Sequence, residues 1–218
     1  MKEERQTSAQ LAPSMPRKET RKEILRVAVD IASAKGLEGL TIGSLAQELK
    51  MSKSGLFAHF GSKEELQLAA IETARLIFIE EVMNPALISE PGIARLLAML
   101  EAWLSYVERG VFQGGCFWAA ASAEFDGRPG PVRAKIALLT RFWLEALEQE
   151  ARQAQLQSEI DAGIDATQLA FEVHAFVQEA NWAYQLLEDK LAFDRARKAI
   201  RRRLESSATS KGMAALSS

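Results

Sequence analysis

The segment MSKSGLFAHFGSKEEL, residues 51–66, brings together side chains that can contact an anionic partner. Ser52 and Ser62 are good N-cap residues, so the segment contains the starts of two helices. The free N–H groups and the positive dipole end of the second helix form an anion site, to which Lys63 adds a charge. Thr41 offers a similar helix start just upstream. Two helix N-termini and a lysine can hold phosphates on either side of a groove.

Residues 53–60 are expected to form a short helix with one buried side. Leu56 and Phe60 are four residues apart and share the inward face. Ser54 and Ala58 then point directly away from the core, and Phe57 lies on one flank. An exposed face of small and aromatic side chains fits a groove better than it fits bulk solvent.

This outer face predicts contacts with duplex DNA. Ser54 can hydrogen-bond a base edge, Ala58 can touch a thymine methyl group, and Lys53 can reach a base edge or a phosphate. Gly55 and His59 lie on the other flank, where Gly55 permits a close approach. Each residue alone also fits an ordinary surface or core position, so the prediction depends on their spacing and caps together.

Catalytic chemistry is not indicated. The chain has two histidines and one cysteine, Cys116, and no His/Cys cluster with metal-ligand spacing. No glycine-rich phosphate loop follows a strand, and no nucleophile–base pattern is present. We therefore expect no enzyme activity, no metal and no cofactor.

The elements that position these residues are all helical. Ala, Leu, Glu, Gln and Arg dominate long stretches, and no run alternates with period two. A capping box at Thr20 and Glu23 predicts the start of the first helix, and Gly36 its end. Further helices are expected from Thr41 to about Lys50, then over 53–60, 63–83, 92–109, 116–125, 131–157, 165–188 and 191–205.

Charge and composition suggest four parts. Residues 1–63 hold 11 basic and 7 acidic side chains, whereas the whole chain carries a net charge of −2. The predicted parts are a disordered arm (1–18), a three-helix DNA-binding domain (19–64), a larger helical domain (65–206) and a flexible tail (207–218). No segment is predicted to span a membrane or act as a secretory signal, and a single cysteine fits the cytoplasm.

The string TIGSLAQELKMSKSGLFAHFGSKEEL, residues 41–66, resembles the DNA-binding domain of the TetR family of transcriptional regulators. The resemblance implies a helix-turn-helix, with DNA contacts at Thr41, Lys53, Ser54, Phe57, His59 and Lys63. It also implies a homodimer, often paired through the last two long helices, and repression that a small molecule relieves. Two positions depart from the family pattern: Phe57 stands where Tyr is usual, and Lys50 where Gly is favoured in the turn.

The rest of the chain suggests a dimer and a ligand pocket. Apolar residues of helix 165–188 occupy two faces, one led by Leu169 and Val173, the other by Ala170 and Val177. One face can pack on its own domain and the other on a second subunit, although a monomer core explains the pattern equally well. Aromatic residues and isolated polar groups predict a pocket for a small, largely apolar ligand, with Trp103, Phe117, Trp143 and His174 as candidates, although core packing is the simpler explanation for each.

The sequence therefore predicts an all-α, DNA-binding regulator, acting as a homodimer on a palindromic operator and released by a small-molecule effector. The alternative is a helical small-molecule carrier or interaction module without DNA binding. That alternative explains the body of the chain but not residues 51–66.

Overall fold

The computed structural model describes residues 17–217, with side chains from residue 21 onward. This part of the chain is helical, and no strand occurs in it, which confirms the all-α prediction. Residues 1–16, most of the predicted arm, lie outside the described residues. The helices are α1 Arg17–Gly39, α2 Ile42–Leu49, α3 Lys53–Phe60, α4 Lys63–Phe78, α5 Asn84–Ala86, α6 Ile93–Glu108, α7 Phe117–Phe125, α8 Pro131–Leu156, α9 Ala166–Leu187, α10 Ala192–Ser207 and α11 Ser210–Leu216.

The first three helices are held in place by local caps. The side chains of Thr41, Ser52 and Ser62 each accept a hydrogen bond from the backbone N–H three residues later, at the starts of α2, α3 and α4. Lys50 ends α2 in a left-handed conformation with φ of 53°. Its N–H donates to the carbonyl of Gln47, and the N–H of Met51 donates to that of Ala46, which is the Schellman pattern. These caps set the tight turn between α2 and α3.

A π-helical turn, Ile79–Met83, follows α4 directly. The sequence predicts that Asn84 and Pro85 end this helix, but helical backbone continues through Ala86. Pro85 has no N–H and its ring would collide with the carbonyl four residues earlier in a regular helix. In the wider turn the N–H of Asn84 donates to the carbonyl of Ile79, five residues earlier, so the helix is not regular where Pro85 follows.

The body of the protein is built on α6, whose large side chains are buried. Trp103 and Tyr106 of α6 are almost fully buried, and Phe112 just after it is as well. Helix α8 packs on α9 and on α4, and α9 packs on α10. Helix α7 packs on α1, so it joins the body to the first helix. The bounds of α6 to α10 agree with the predicted helices to within two residues.

Two predictions at the ends of the described chain are wrong. Helix α1 begins at Arg17, before Thr20, so Thr20 does not cap it. The predicted flexible tail contains α11, which Thr209 caps and which buries Leu216. The N–H of Thr209 donates to the carbonyl of Glu159, a contact 50 residues away in sequence. The pattern of apolar residues within the seven residues of α11 could not predict this helix, because contacts with distant backbone groups stabilise it.

Helix α9 also differs from the expected arrangement. Most of both predicted apolar faces packs inside the same chain, since Leu169, Val173, Ala170 and Val177 are all buried. Leu187, at the end of the first predicted face, is exposed instead. Large apolar residues outside both predicted faces are exposed as well: Phe171, Trp182 and Leu186.

Candidate nucleic-acid interface and ligand cavity

Helix α3 has the predicted orientation. Leu56 is 0% exposed and Phe60 is 5% exposed, so this side of the helix lies in the core. Lys53, Ser54 and Ala58 are exposed, and Phe57 is 57% exposed. Gly55 and His59 are half-buried at the flank. The face that is expected to enter a groove is therefore uncovered by any described part of the chain.

The start of α2 lies beside this face. Thr41 is engaged in a reciprocal capping box with Ser44, so its hydroxyl stabilises the helix start. A methyl group added at Gly43 would lie 3.8 Å from Nζ of Lys53, so the Lys53 ammonium group is next to the first turn of α2. A positive helix end and an ammonium group are thus adjacent, as phosphate binding requires.

Lys63 is not free at the start of α4. Its Nζ donates to Oε2 of Glu38 at 2.7 Å, and both side chains are partly exposed. This hydrogen bond from Lys63 is the main reason that the pKa of the Glu38 carboxyl lies below its usual value. Arg128 approaches the other Glu38 oxygen at 3.8 Å. The predicted phosphate contact therefore requires Lys63 to leave or share an existing partner.

A further cation lies close to α3. The Arg21 guanidinium stacks over the Phe60 ring at 5.4 Å from its centroid. This contact places a basic side chain of α1 against the buried side of α3. Arg21 and Lys22 are exposed.

A cavity of about 480 Å³ lies in the body between α4, α6, α7, α8 and α9. Of the four predicted ligand residues, Trp103, Trp143 and His174 line it. Phe117 does not: it is 1% exposed and packs against Phe112 and Trp118. On α7 the residues at Phe117, Ala121 and Phe125 face the core, because their spacing of four puts them on one side. Trp118 and Ser122, on another side, line the cavity.

The aromatic walls of the cavity hold one another in place. The ring centroids of Trp103 and Trp143 are 5.5 Å apart at 83°. Phe78 of α4 lies edge-on to both, at 6.4 Å and 5.0 Å. The His174 ring is 5.1 Å from Trp103. Such edge-to-face contacts fix ring orientations and leave a stable apolar surface for a ligand.

His174 is a half-buried titratable residue of this wall. Burial lowers the pKa of His174 from 6.5 to about 4. The imidazole is therefore neutral at pH 7 and offers one hydrogen-bond donor and one acceptor.

Charged and polar lining residues were missed by the sequence reasoning. Glu72 and Arg75 of α4 and Lys135 of α8 have the spacing of ordinary surface residues, and no local signal distinguishes them. Their convergence depends on how α4 packs against α8. The other lining residues are Phe78, Ile79, Met83, Trp118, Ser122, Leu138, Leu139, Thr140, Phe142 and Gln178.

Four polar atoms of the lining residues are buried without a hydrogen-bond partner among residues 21–217. They are Nε1 of Trp103, Nε1 of Trp118, Nε1 of Trp143 and Oγ1 of Thr140. A buried donor without an acceptor costs about 1–3 kcal/mol. A ligand that supplies acceptors would remove this cost.

Helix α7 connects the cavity to the DNA-binding part. The Glu124 carboxylate accepts the N–H of Leu37 at 2.6 Å and the N–H of Glu38 at 2.9 Å. These two N–H groups follow Gly36, where α1 breaks with φ of 77°. A Cβ at Gly36 would lie 2.8 Å from Oε2 of Glu124, so glycine is needed both for its backbone conformation and for this close approach. The turn between α1 and α2 is thus bound to the helix that carries Trp118 and Ser122.

The fold and these two sites define a helix-turn-helix protein with a separate ligand cavity. Comparison with known proteins agrees. Residues 24–70 match the family described as bacterial regulatory proteins, tetR family, and residues 92–200 match the tetracyclin repressor-like C-terminal domain. The chain belongs to the TetR family of bacterial regulatory proteins.

The sequence identity to individual relatives is low. The chain is 28% identical over 142 residues to the HTH-type transcriptional regulator TcmR of Streptomyces glaucescens, a match over 63% of this chain and 58% of TcmR. A TetR transcriptional regulator of Chloroflexus aurantiacus has a similar fold, with a TM-score of 0.81 and 24% identity over 88% of this chain and 96% of the other. AibR, crystallised with isovaleryl coenzyme A and operator DNA, matches with a TM-score of 0.66 and 24% identity over 82% of this chain and 94% of AibR.

No described helix between residues 17 and 217 is both long and apolar enough to cross a bilayer.

Proposed function

We propose that this protein is a sequence-specific, DNA-binding transcriptional regulator: a homodimeric repressor that a small, largely apolar ligand releases from a palindromic operator. In this proposal residues 19–64 form the DNA-binding domain and residues 65–206 the effector-binding and dimerisation domain. Such a regulator acts on DNA in the bacterial cytoplasm and catalyses no reaction.

One observation carries the DNA-binding role. Leu56 and Phe60 are buried while Ser54 and Ala58 on the opposite side of α3 are exposed. A helix held in this way can enter the major groove without unfolding any of its own packing. We assign direct contacts to Thr41, Lys53, Ser54, Gly55, Phe57, Ala58, His59 and Lys63. Phe57 has no hydroxyl, so its contact is with sugar and backbone atoms.

Exposed apolar side chains support the homodimer. Helix α9 exposes Phe171, Trp182 and Leu186, and α8 exposes Phe142 and Leu156. The exposed side of α10 is charged instead, with Asp194, Arg195, Lys198, Arg201 and Arg202. A pair of neighbouring helices with aromatic and leucine side chains outward favours an interface with the α8–α9 pair of a second copy. Two subunits can then read half-sites about 34 Å apart.

The cavity supports the effector role. Its volume is within the range of small-molecule pockets, and its walls are aromatic with a few polar groups. AibR was crystallised with both a coenzyme A thioester and operator DNA, so a protein with this fold can bind a ligand and DNA together. A carrier without DNA binding would use the same cavity, but it would not need the exposed face of α3.

Two helices can carry a change at the cavity to α3. Helix α4 lines the cavity with Glu72, Arg75 and Phe78 and begins beside α3 at Lys63. Helix α7 lines it with Trp118 and Ser122 and binds the α1–α2 turn through Glu124. A ligand that separates α7 or α4 from α8 would change the position of both DNA-binding domains. Release requires that the ligand bind the DNA-free arrangement more tightly.

The test begins with selection of bound fragments from random duplex DNA, followed by anisotropy titration of the selected duplex. Ala58→Glu puts a carboxylate on the outer face of α3 and is expected to abolish binding while leaving the melting temperature unchanged. Ala134→Glu, at an exposed position of α8, is the matched control and should bind as the wild type does. Wild-type affinity in Ala58→Glu, or no duplex binding by the wild type at low salt, would overturn the proposal.

A further inference from the structure

The cavity contains an ion cluster that joins two helices. Oε1 of Glu72 accepts hydrogen bonds from Nε of Arg75 at 2.9 Å and from its terminal nitrogen at 2.6 Å. Oε2 of Glu72 pairs with Nζ of Lys135 on α8 at 3.2 Å. The hydrogen bond from Arg75 is the main reason that the pKa of Glu72 lies below its usual value. One carboxylate therefore bridges two cations, and these three residues are the charged residues in the cavity lining.

The charge of this lining is unbalanced. Arg75 and Lys135 contribute two positive charges and Glu72 one negative charge, while His174 is neutral at pH 7. The side chains of Arg75 and Lys135 are 34% and 35% exposed, so a ligand in the cavity can reach them. A second anion can therefore be accommodated, whereas a cation would meet two like charges.

The uncharged part of the lining also favours acceptors. The indole N–H groups of Trp118 and Trp143 and the hydroxyl of Thr140 have no partner among the described residues. An indole N–H can only donate, so a ligand satisfies it only with an acceptor oxygen or nitrogen. Phe78, Trp103 and Trp143 supply ring faces and edges next to these donors.

We infer that the effector is an aromatic anion: a planar, acceptor-bearing ring system with one acidic group that binds between Arg75 and Lys135 in competition with Glu72. This inference rests on the proposed effector role of the cavity. Binding in this way replaces the Glu72 bridge between α4 and α8 by a bridge through the ligand. The same event that binds the acid thus changes the link between α8 and α4, the helix that leads to the DNA-binding domain.

Three probes with the same rings and different charge test the inference. Anthraquinone-2-carboxylate, anthraquinone-2-carboxamide and 2-(aminomethyl)anthraquinone carry charges of about −1, 0 and +1 at pH 7. Their dissociation constants are measured by calorimetry on the full-length protein, with quenching of tryptophan fluorescence as a second readout. We expect the carboxylate to bind at least about tenfold more tightly than the carboxamide, and the amine to bind most weakly.

Substitutions in the ion cluster should change the preference for the carboxylate probe over the carboxamide probe in opposite directions. Glu72→Gln removes the competing carboxylate and should tighten the carboxylate probe several-fold while leaving the carboxamide within about twofold. Lys135→Met should reduce the preference for the carboxylate to below about threefold. Lys198→Met, on the exposed side of α10, is the charge-matched control for Lys135→Met. It should change neither the affinity for the carboxylate probe nor the preference for it over the carboxamide. A purely structural role for the cluster would instead weaken all three probes together in both variants.

The outcomes separate this inference from the proposed function. Equal binding of the three probes, a preference for the amine, or no binding of any probe would overturn the aromatic-anion inference. Duplex binding measured on the same preparations tests the regulator proposal independently. If the carboxamide fills the cavity and releases DNA as well as the carboxylate does, the regulator proposal stands and the inference about charge fails.

Discussion

The ion pair between Lys63 and Glu38 gives a quantitative prediction for DNA binding. Lys63 lies at the start of α4, where a phosphate is expected, but its Nζ is 2.7 Å from Oε2 of Glu38. The two side chains are 40% and 46% exposed, so the pair is worth only about 0.2–1 kcal/mol. A phosphate can displace Glu38 at this small cost. We therefore expect the carboxylate to weaken DNA binding slightly without blocking it.

Replacing Lys63 tests the phosphate contact. Each phosphate contact contributes a slope of about −0.9 to the logarithm of affinity against the logarithm of salt concentration. Lys63→Met removes one such contact per subunit, so the slope of a dimer should become less steep by about 1.8. Specific and random duplexes should lose affinity alike, because a phosphate contact carries no sequence information.

Replacing Glu38 should have the opposite effect. Glu38→Gln leaves Lys63 in place without its competing carboxylate, so affinity should rise about 1.4-fold to fivefold per subunit, as the energy of the exposed pair dictates. In the double variant Lys63→Met/Glu38→Gln most of this gain should vanish, because the lysine that was released is gone.

The assay is fluorescence anisotropy of labelled duplexes over a series of salt concentrations. Lys198→Met, far along the chain on α10, removes the same charge and should leave the slope unchanged. An unchanged slope in Lys63→Met would refute the phosphate contact. Reduced affinity in Glu38→Gln would refute the competition, and would indicate that the ion pair positions α4 for binding.

Three further predictions concern stability and contact. Lys50→Gly relieves the left-handed backbone at φ of 53°, so urea unfolding should show a gain of about 1 kcal/mol, with weaker DNA binding as a basic residue is lost. Phe57→Tyr adds a hydroxyl at a side chain that is 57% exposed; unfolding should change by less than about 0.5 kcal/mol, whereas anisotropy should show about tenfold tighter DNA binding through a phosphate hydrogen bond. Because burial lowers the pKa of His174 to about 4, the unfolded chain binds a proton between pH 6.5 and 4 that the folded chain does not. The free energy of unfolding should therefore decrease as the pH is lowered from 6.5 to 4, by at most about 3 kcal/mol, and His174→Gln should flatten this dependence.

Features set by neighbouring residues could be predicted from the sequence. The caps at Thr41, Ser52 and Ser62 follow from residue type and a spacing of three, and the structure contains all three hydrogen bonds. The orientation of α3 follows from Leu56 and Phe60, since two apolar residues four apart define one side of a short helix. The caps and the orientation of α3 depend on neighbouring residues only, so distant parts of the chain did not have to be known.

The order of the helices could also be predicted from the sequence. Which residues line the cavity could not. Glycine and proline positions gave the bounds of α6 to α10. Trp103 and Trp143 were identified as pocket residues because aromatic side chains commonly line pockets, but Phe117 has the same chemistry and packs against Phe112 and Trp118 instead. Only the rotation of α7 against its neighbours decides between Phe117 and Trp118.

Contacts between distant residues were decided by the tertiary structure alone. Lys63 and Glu38 are 25 residues apart, and Glu124 and Leu37 are 87 apart. The polar cluster of Glu72, Arg75 and Lys135 reads as ordinary surface in the sequence. Local periodicity determines which side of a helix is apolar, whereas the packing of whole helices determines which polar groups meet. The sequence by itself therefore predicted which side of α3 is exposed, and the fold alone decided which charged groups line the cavity.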